Sequence, residues 1–251
     1  MIRFKDISSF IASCYYYIRE RISPSTIKNG KDIPIIINNF NRLESLQMLI
    51  SALMDRGYNN IYVLDNASTY PPLLEYYKNA PVEVLFLGEN LGFKALWRSD
   101  YRSRFCGDYY IYTDSDVIPI ADCPEDFVDH FLSELKRHPL ARKIGFSLRI
   151  DNIPDHYAHK RKVIEKESVY YGNPVGDGLF RAPIDTTFAL YRPRVGLSRS
   201  RSVEAYRTAY PYQAEHIPWY SDSNNLSEEE QYYISHCTQV TEWSSRSKSK
   251  A

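Results

Sequence analysis

Asp114-Ser115-Asp116 is where the types and spacing of residues in this 251-residue chain point most directly to chemistry. The triplet follows Tyr109-Tyr110-Ile111-Tyr112-Thr113, an apolar-aromatic run with strand character. Two carboxylates two residues apart just past a strand lie close in space, and like charges there repel unless a cation or hydrogen-bond donors compensate. Carboxylate oxygens are hard ligands suited to Mg2+ or Mn2+, and these ions also bind diphosphate oxygens. The D-x-D triplet therefore reads as a metal bridge to a nucleotide diphosphate. Three more polar clusters follow apolar runs: Asn38-Asn39-Phe40-Asn41-Arg42, Asp65-Asn66-Ala67-Ser68 and Glu89-Asn90-Leu91-Gly92. One such cluster alone is ordinarily a turn or a helix cap. Several at successive strand ends converge on one edge of a sheet, where open parallel sheets bind ligands.

The elements that must gather these clusters are visible in the apolar pattern. Ile33-Pro34-Ile35-Ile36-Ile37 reads as a strand buried on both faces. Asn41 with Glu44 predicts a capping box, and Leu43, Leu46, Ile50, Leu53 and Met54 form a helical stripe that Gly57 closes. Further strands are expected at 61–64, 82–87, 109–113, 144–148 and 186–191, with helices at 73–78, 93–105 and 128–135. This alternation predicts an α/β fold, a Rossmann-like, mostly parallel sheet with helices on both faces. After residue 150 the rhythm breaks. Residues 151–180 read as a polar, Tyr-rich loop punctuated by Gly172, Pro174, Gly176 and Gly178, and residues 195–225 as irregular acceptor-side structure. Ser227 and Glu230 open a last short helix, and 244–251 read as a disordered basic tail. The expected organisation is an N-terminal amphipathic helix and linker (1–30), one domain (31–236, with a nucleotide-binding half to 120 and an acceptor-side half from 121) and a tail (237–251).

Residues 33–236 resemble a family 2-type glycosyltransferase of the GT-A fold. The resemblance is carried by the strand at Ile33 with Asn41-Arg42, by Val63-Leu64-Asp65-Asn66-Ala67-Ser68, by Asn90-Leu91-Gly92, by Asp114-Ser115-Asp116, and by the late His216-Ile217-Pro218-Trp219-Tyr220. Each motif is short, but the series runs in order along most of the chain. The resemblance implies a nucleotide diphosphate sugar donor, foremost a UDP-sugar, a saccharide or glycoconjugate acceptor, and Mn2+ or Mg2+. It implies that Asp65 accepts a hydrogen bond from the base, and that Asn38, Asn39, Arg42 and Asn66 line the nucleotide. Asn90 and Gly92 would shape the wall around ribose and phosphate. Asp114 would face ribose or the donor sugar, and Asp114, Asp116 and His216 would make up the metal shell. Inverting transfer needs a general base for the acceptor hydroxyl. The candidate is Asp185, which opens the apolar run to Leu190 after the Gly-rich loop; its other reading is a structural Asp bonded to the following turn. Glu215 and Asp177 are the substitutes, because the chain lacks the family's usual Glu-Asp pair. Trp219 and Tyr220, with Tyr170 and Tyr171, are offered for stacking on the acceptor sugar. His156 and His159 lie beside Lys160-Arg161-Lys162 and read as a solvated face.

Composition bounds the rest. Thirty-one basic and 31 acidic residues give a net charge of zero, which argues against broad capture of nucleic acid or an anionic membrane. No apolar run reaches the roughly 18 residues of a membrane-spanning helix, and no secretory signal is expected. Cys14, Cys106, Cys123 and Cys237 form no C-x-x-C pair and read as reduced thiols of a cytoplasmic protein. Ile7, Phe10, Ile11, Cys14, Tyr15, Ile18 and Ile22 mark one face of a helix that Ser23-Pro24 ends. That helix either docks on its own domain or makes a peripheral membrane contact through residues 1–22. The second reading places Arg3, Lys5, Arg19 and Arg21 near lipid phosphates, with Asp6 and Glu20 counting against it. Rival functions are a haloacid-dehalogenase-like phosphohydrolase, whose D-x-D motif belongs on a first strand, and nucleotidyl transfer, which expects a Gly-rich loop after strand one. A non-catalytic carbohydrate-binding or scaffold protein is a third, and it predicts no nucleotide affinity.

Overall fold

A computed structural model of the chain describes residues 4–176, 178–185, 187–196 and 204–237. It opens with α1 (Phe4–Ile22). Strands and helices then alternate through β1 (Ile35–Asn39), α2 (Glu44–Asp55), β2 (Ile61–Asp65), α3 (Pro71–Tyr77) and β3 (Glu83–Phe86). Two short helices, α4 (Ala95–Arg98) and α5 (Tyr101–Phe105), lead to β4 (Tyr110–Asp114) and β5 (Val117–Pro119). The second half contains α6 (Phe127–Arg137), β6 (Lys143–Leu148), α7 (Lys160–Tyr171), β7 (Leu179–Arg181), β8 (Ala189–Tyr191), β9 (Ala205–His216) and α8 (Glu228–His236).

All strands join one sheet in the order β3-β2-β1-β4-β8-β6-β9-β5, with β7 beside β9. β3, β2, β1 and β4 are parallel. From β8 onward the sheet is mixed: β8 runs antiparallel to β4 and β6, and β9 runs parallel to β6 but antiparallel to β5 and β7. One face is covered by α2 and α6, whose Leu46, Leu53, Phe127 and Phe131 pack with Ile35, Ile37 and Ile111. The other is covered by α4 and α5, whose Leu96 and Phe105 pack with Ile36, Tyr110 and Tyr112. A central strand covered on both faces must be apolar at every position, and Ile35, Ile36 and Ile37 are fully buried. Gly145 lets β6 close on β8, since a Cβ there would lie 2.2 Å from the Phe188 carbonyl oxygen.

The short strands β5 and β7 were not expected, and three longer elements differ from expectation. The helix expected over 93–105 is broken at Ser99, whose ψ of 166° is extended. Residues 160–171, expected as loop, form α7; its buried residues are Val163 and Glu167, too few apolar positions to write a helical stripe. Residues 205–216, expected as irregular, form the 12-residue β9. Its pairing with β6 shifts register between Thr208 and Gln213, around Pro211, and the shift erases the alternation by which a strand is recognised. The tail at 244–251 lies outside the described residues.

Candidate functional site

Beyond the carboxyl ends of β1 and β4 lies a cleft of about 640 Å3. Register decides which polar residues reach it. β1 sets Asn38 beside Asp114 of β4, and Asn39 beside Asp65 of β2. In-register neighbours share a face of the sheet, and successive residues alternate faces. Asn38 and Asp114 therefore line the cleft. Asn39 and Asp65 turn to the opposite face, 0% and 2% exposed. There the Tyr77 hydroxyl accepts from Asn39 Nδ2 at 2.8 Å and donates to Asp65 at 3.0 Å. The Ser68 amide donates to the second Asp65 oxygen at 3.1 Å. Burial, reinforced by Asp65, pushes the Tyr77 hydroxyl pKa up and keeps its proton in place. Asp65 and Asn39, expected at the nucleotide, lie off the cleft wall and brace the loops after β1 and β2. Asn66 ties the cleft wall together. It donates to the Gly92 carbonyl at 3.0 Å and accepts from the Leu91 amide at 2.7 Å. Asn90 accepts from the Gly92 amide at 2.9 Å, in a turn where Gly92 has a φ of +69°. Asn66, Asn90 and Gly92 all line the cleft.

The β4 strand stops at Asp114, and the chain turns at Ser115 and Asp116. β5 then pairs antiparallel with the end of β9, Val117 opposite His216. The Ile217 amide donates to the Asp116 carbonyl at 2.9 Å. This pairing brings together two residues remote in sequence: His216 Nε2 lies 3.6 Å from Asp116 Oδ1. The separation is too long for a hydrogen bond. Asp116 Oδ1 and His216 Nδ1 are buried and make no hydrogen bond. Burial lowers the His216 pKa against the pull of Asp116, which keeps the ring in the neutral form that ligates metal. Two ligands each about 2.1 Å from one ion stand roughly 3–4 Å apart, so the pair fits a shared divalent cation. Such an ion commonly takes one or two protein ligands and fills its other positions with phosphate oxygens and water. Among the described residues no third His, Cys, Asp or Glu completes a cluster, so the expected trio with Asp114 does not form. Asp114 ends its strand beside Asn38, and the turn after it carries Asp116 away toward β9.

The last helix governs Arg42. Its guanidinium is ion-paired with Glu230 and lies 3.8 Å over the Tyr233 ring. Next to it, Glu229 accepts the amides of Leu43 and Glu44 at 2.7 and 2.9 Å, at the start of α2. The Asn41–Glu44 capping box is thus replaced: Asn41, at φ +52°, accepts instead from the Thr69 and Tyr70 amides ahead of α3. Arg42 still lines the cleft, but with its charge already engaged.

The far wall holds residues that the sequence reading passed over. Glu167 and Arg207 form a buried ion pair at 2.7 Å, and Arg207 lies 4.2 Å over the Tyr170 ring. Lys166 and Arg98 line the same cleft. Glu167 and Lys166 belong to α7 and Arg207 to β9, so missing those elements hid the residues too. Asp185 lines the cleft and is exposed. Glu215 lies off the cleft wall and accepts from Asn152 at 2.8 Å; Asp177 is outside the described residues. Trp219 and Tyr170 line the cleft. Trp219 is only 2% exposed and packs against His216 with ring centroids 4.8 Å apart, so it backs the Asp116–His216 pair and does not form an open platform. Tyr220 and Tyr171 are directed elsewhere, their hydroxyls donating to Asn152 at 2.7 Å and to the Leu148 carbonyl at 2.6 Å. His156 approaches the Tyr220 carbonyl at 3.3 Å, and His159 precedes α7; they join no metal group among the described residues.

No protein-family model matches the chain, and no curated protein matches it in sequence. Many solved structures align with it, two of them as follows. The crystal structure of GalNAc-T7 with UDP, GalNAc and Mn2+ aligns at 12% identity and a TM-score of 0.47, over 73% of this chain and 43% of that one. A cytidylyltransferase from Leptospira borgpetersenii serovar Hardjo-bovis aligns at 10% identity and a TM-score of 0.35, over 64% of this chain and 60% of that one. The chain thus spans less than two thirds of either. Likeness at this level assigns no activity to it.

Proposed function

We propose that this protein is a metal-dependent glycosyltransferase, moving a sugar from a nucleotide diphosphate sugar, foremost a UDP-sugar, to a saccharide or glycoconjugate acceptor. The observation that carries this reading is Asp116 Oδ1, buried without a hydrogen bond and 3.6 Å from a neutral His216 at the edge of the cleft. The Arg42 guanidinium acts on Asp116 through space but makes no hydrogen bond to that oxygen, which leaves it open to a divalent ion. Asp116 and His216 hold the ion, and its chemistry is to stabilise the negative charge that gathers on the leaving diphosphate. Asn38, Asn66, Asn90 and Gly92 supply donors and acceptors along the nucleotide wall, and Asp114 faces ribose or the donor sugar. Asp185 takes the acceptor hydroxyl's proton as that oxygen attacks the anomeric carbon, and transfer inverts the centre. Its exposure suits this role, because an open carboxylate can receive a proton and pass it to solvent. Tyr170 bounds the acceptor side.

Calorimetric titration with UDP in the presence of Mn2+ tests the reading. Binding is expected, with loss on chelation and loss in Asp116→Ala, while the circular dichroism spectrum is unchanged. Absence of binding by every nucleoside diphosphate tried with Mn2+ or Mg2+ would sink it. A screen of UDP-sugars for UDP release with mono- and oligosaccharide acceptors then identifies the donor.

A further inference from the structure

The amphipathic helix α1 docks by its polar side. Ser13 is 1% exposed, and Tyr16 packs against the core layer that holds Tyr110 and Tyr112. Glu20 is turned into the domain, ion-paired with Arg192 and accepting from the Tyr109 hydroxyl. At about 100° per residue, positions 13, 16 and 20 form one stripe, and positions 7, 11, 18 and 22 fall about half a turn away. That opposite stripe is apolar and in solvent: Ile7, Phe10, Ile11, Tyr15, Ile18 and Ile22 are 47–75% exposed. A helix driven only by burial on its own domain would have been rolled the other way.

Charge says what covers the stripe. Arg19 and Arg21 are exposed and flank it on either side, each donating to a tyrosine hydroxyl one turn back, Tyr15 at 3.1 Å and Tyr17 at 3.0 Å. Each guanidinium lies over that tyrosine's ring, at 5.6 and 5.4 Å, so a positive charge sits at each margin of the apolar stripe, the arrangement of arginines at a headgroup layer. Glu20, which counted against membrane contact in the sequence, faces inward and leaves the outer face free of negative charge among the described side chains of α1. A second copy of the chain would bring the same positive margins, whereas lipid phosphates bring the opposite sign. Among the described residues no helix is long and apolar enough to cross a membrane, so the helix would lie on a bilayer, not through it. A net charge of zero confines the attraction to this local stripe.

We propose that α1 seats this protein on an anionic lipid bilayer, with the apolar stripe at the acyl boundary and Arg19 and Arg21 at the phosphates. The inference is independent of the transferase reading. Flotation of the full chain with phosphatidylglycerol–phosphatidylcholine vesicles, and with phosphatidylcholine alone, tests it. The chain is expected to float with the anionic vesicles, less so at high salt. Ile11→Glu/Ile18→Glu, at exposed positions, lowers the partition coefficient at least about tenfold. Arg19→Gln/Arg21→Gln lowers it several-fold for each arginine, an order-of-magnitude expectation for charge near an anionic surface. Three outcomes would overturn the proposal: no flotation of the wild type, equal flotation of the isoleucine variant, or equal flotation on both vesicle types. A lipid-free dimer that the isoleucine variant dissolves, seen by analytical ultracentrifugation, would also overturn it and assign the stripe to a second copy.

Discussion

Asp116 is held by its neighbours without any bond to the oxygen nearest His216. Asp116→Asn keeps the shape and removes the charge. It is expected to weaken Mn2+ binding at least about tenfold, read by electron paramagnetic resonance titration, because a neutral amide oxygen replaces the anionic ligand of the pair. Stability of the metal-free chain should stay level or rise, since a half-buried carboxylate whose inner oxygen makes no hydrogen bond becomes neutral. A purely structural Asp116 predicts the reverse: stability lost and Mn2+ affinity unmoved. Lys143 supplies a pH-dependent prediction. Its ammonium donates to the Ile184 and Asp185 carbonyls and the Tyr191 hydroxyl at 2.5, 3.2 and 3.2 Å, while burial pulls its pKa down to about 7. The unfolded chain keeps that proton to about pH 10.4. Between about pH 7 and 10.4 the unfolded state therefore binds more protons, and stability rises with pH by at most about 1.4 kcal/mol per unit. In urea titrations the difference between wild type and Lys143→Met should grow in favour of the wild type across that window and stay flat below it.

At the scale of elements, α8 acts as a clasp on the loop after β1. Glu229 satisfies two amides at the start of α2, a job usually done by a local cap. Glu229→Ala should cost about 1–2 kcal/mol in urea denaturation, and Glu229→Gln less, since an amide oxygen still accepts. An unchanged midpoint in the alanine variant would mean that water replaces the cap. The clasp also explains what sequence could and could not disclose. The β–α alternation through Asp114 was readable because strands buried on both faces must be apolar throughout, as in Ile35-Ile36-Ile37. Ser227 was readable as a cap, and its hydroxyl does accept from the Glu230 amide at 3.2 Å. That Glu229 caps a helix 185 residues away was not readable, because capping rules see only local spacing. α7 and β9 were hidden for related reasons. One buries an ion-paired Glu167 where a stripe would carry a leucine, and the other breaks its own alternation at a register shift. Asn38-Asn39 and Asp65-Asn66 were read as runs, whereas pleating sends alternate members to opposite faces, so only half of each run meets the cleft.

Across the whole molecule, the two ends of β4 are given different work. Its carboxyl end opens on the cleft through Asp114. Its amino end adjoins Tyr109, which together with Arg192 anchors α1, one strand length or about 16 Å away. The cleft wall draws on residues from Asn38 to Cys237, so both halves of the sheet must be folded for it to exist. A ligand that binds there binds only the native state, and its free energy adds to global stability. At about 100 times its dissociation constant, UDP with Mn2+ should add about 2.7 kcal/mol. For a chain of this size that is a rise of roughly 5–10 °C in the thermal midpoint, read by differential scanning fluorimetry. The rise should disappear with EDTA and in Asp116→Asn, while Ile11→Glu/Ile18→Glu, altered only at the other end of β4, should keep it in full. An equal rise in Asp116→Asn would detach nucleotide binding from the Asp116–His216 pair, and loss of the rise in the α1 variant would show that the two ends are coupled.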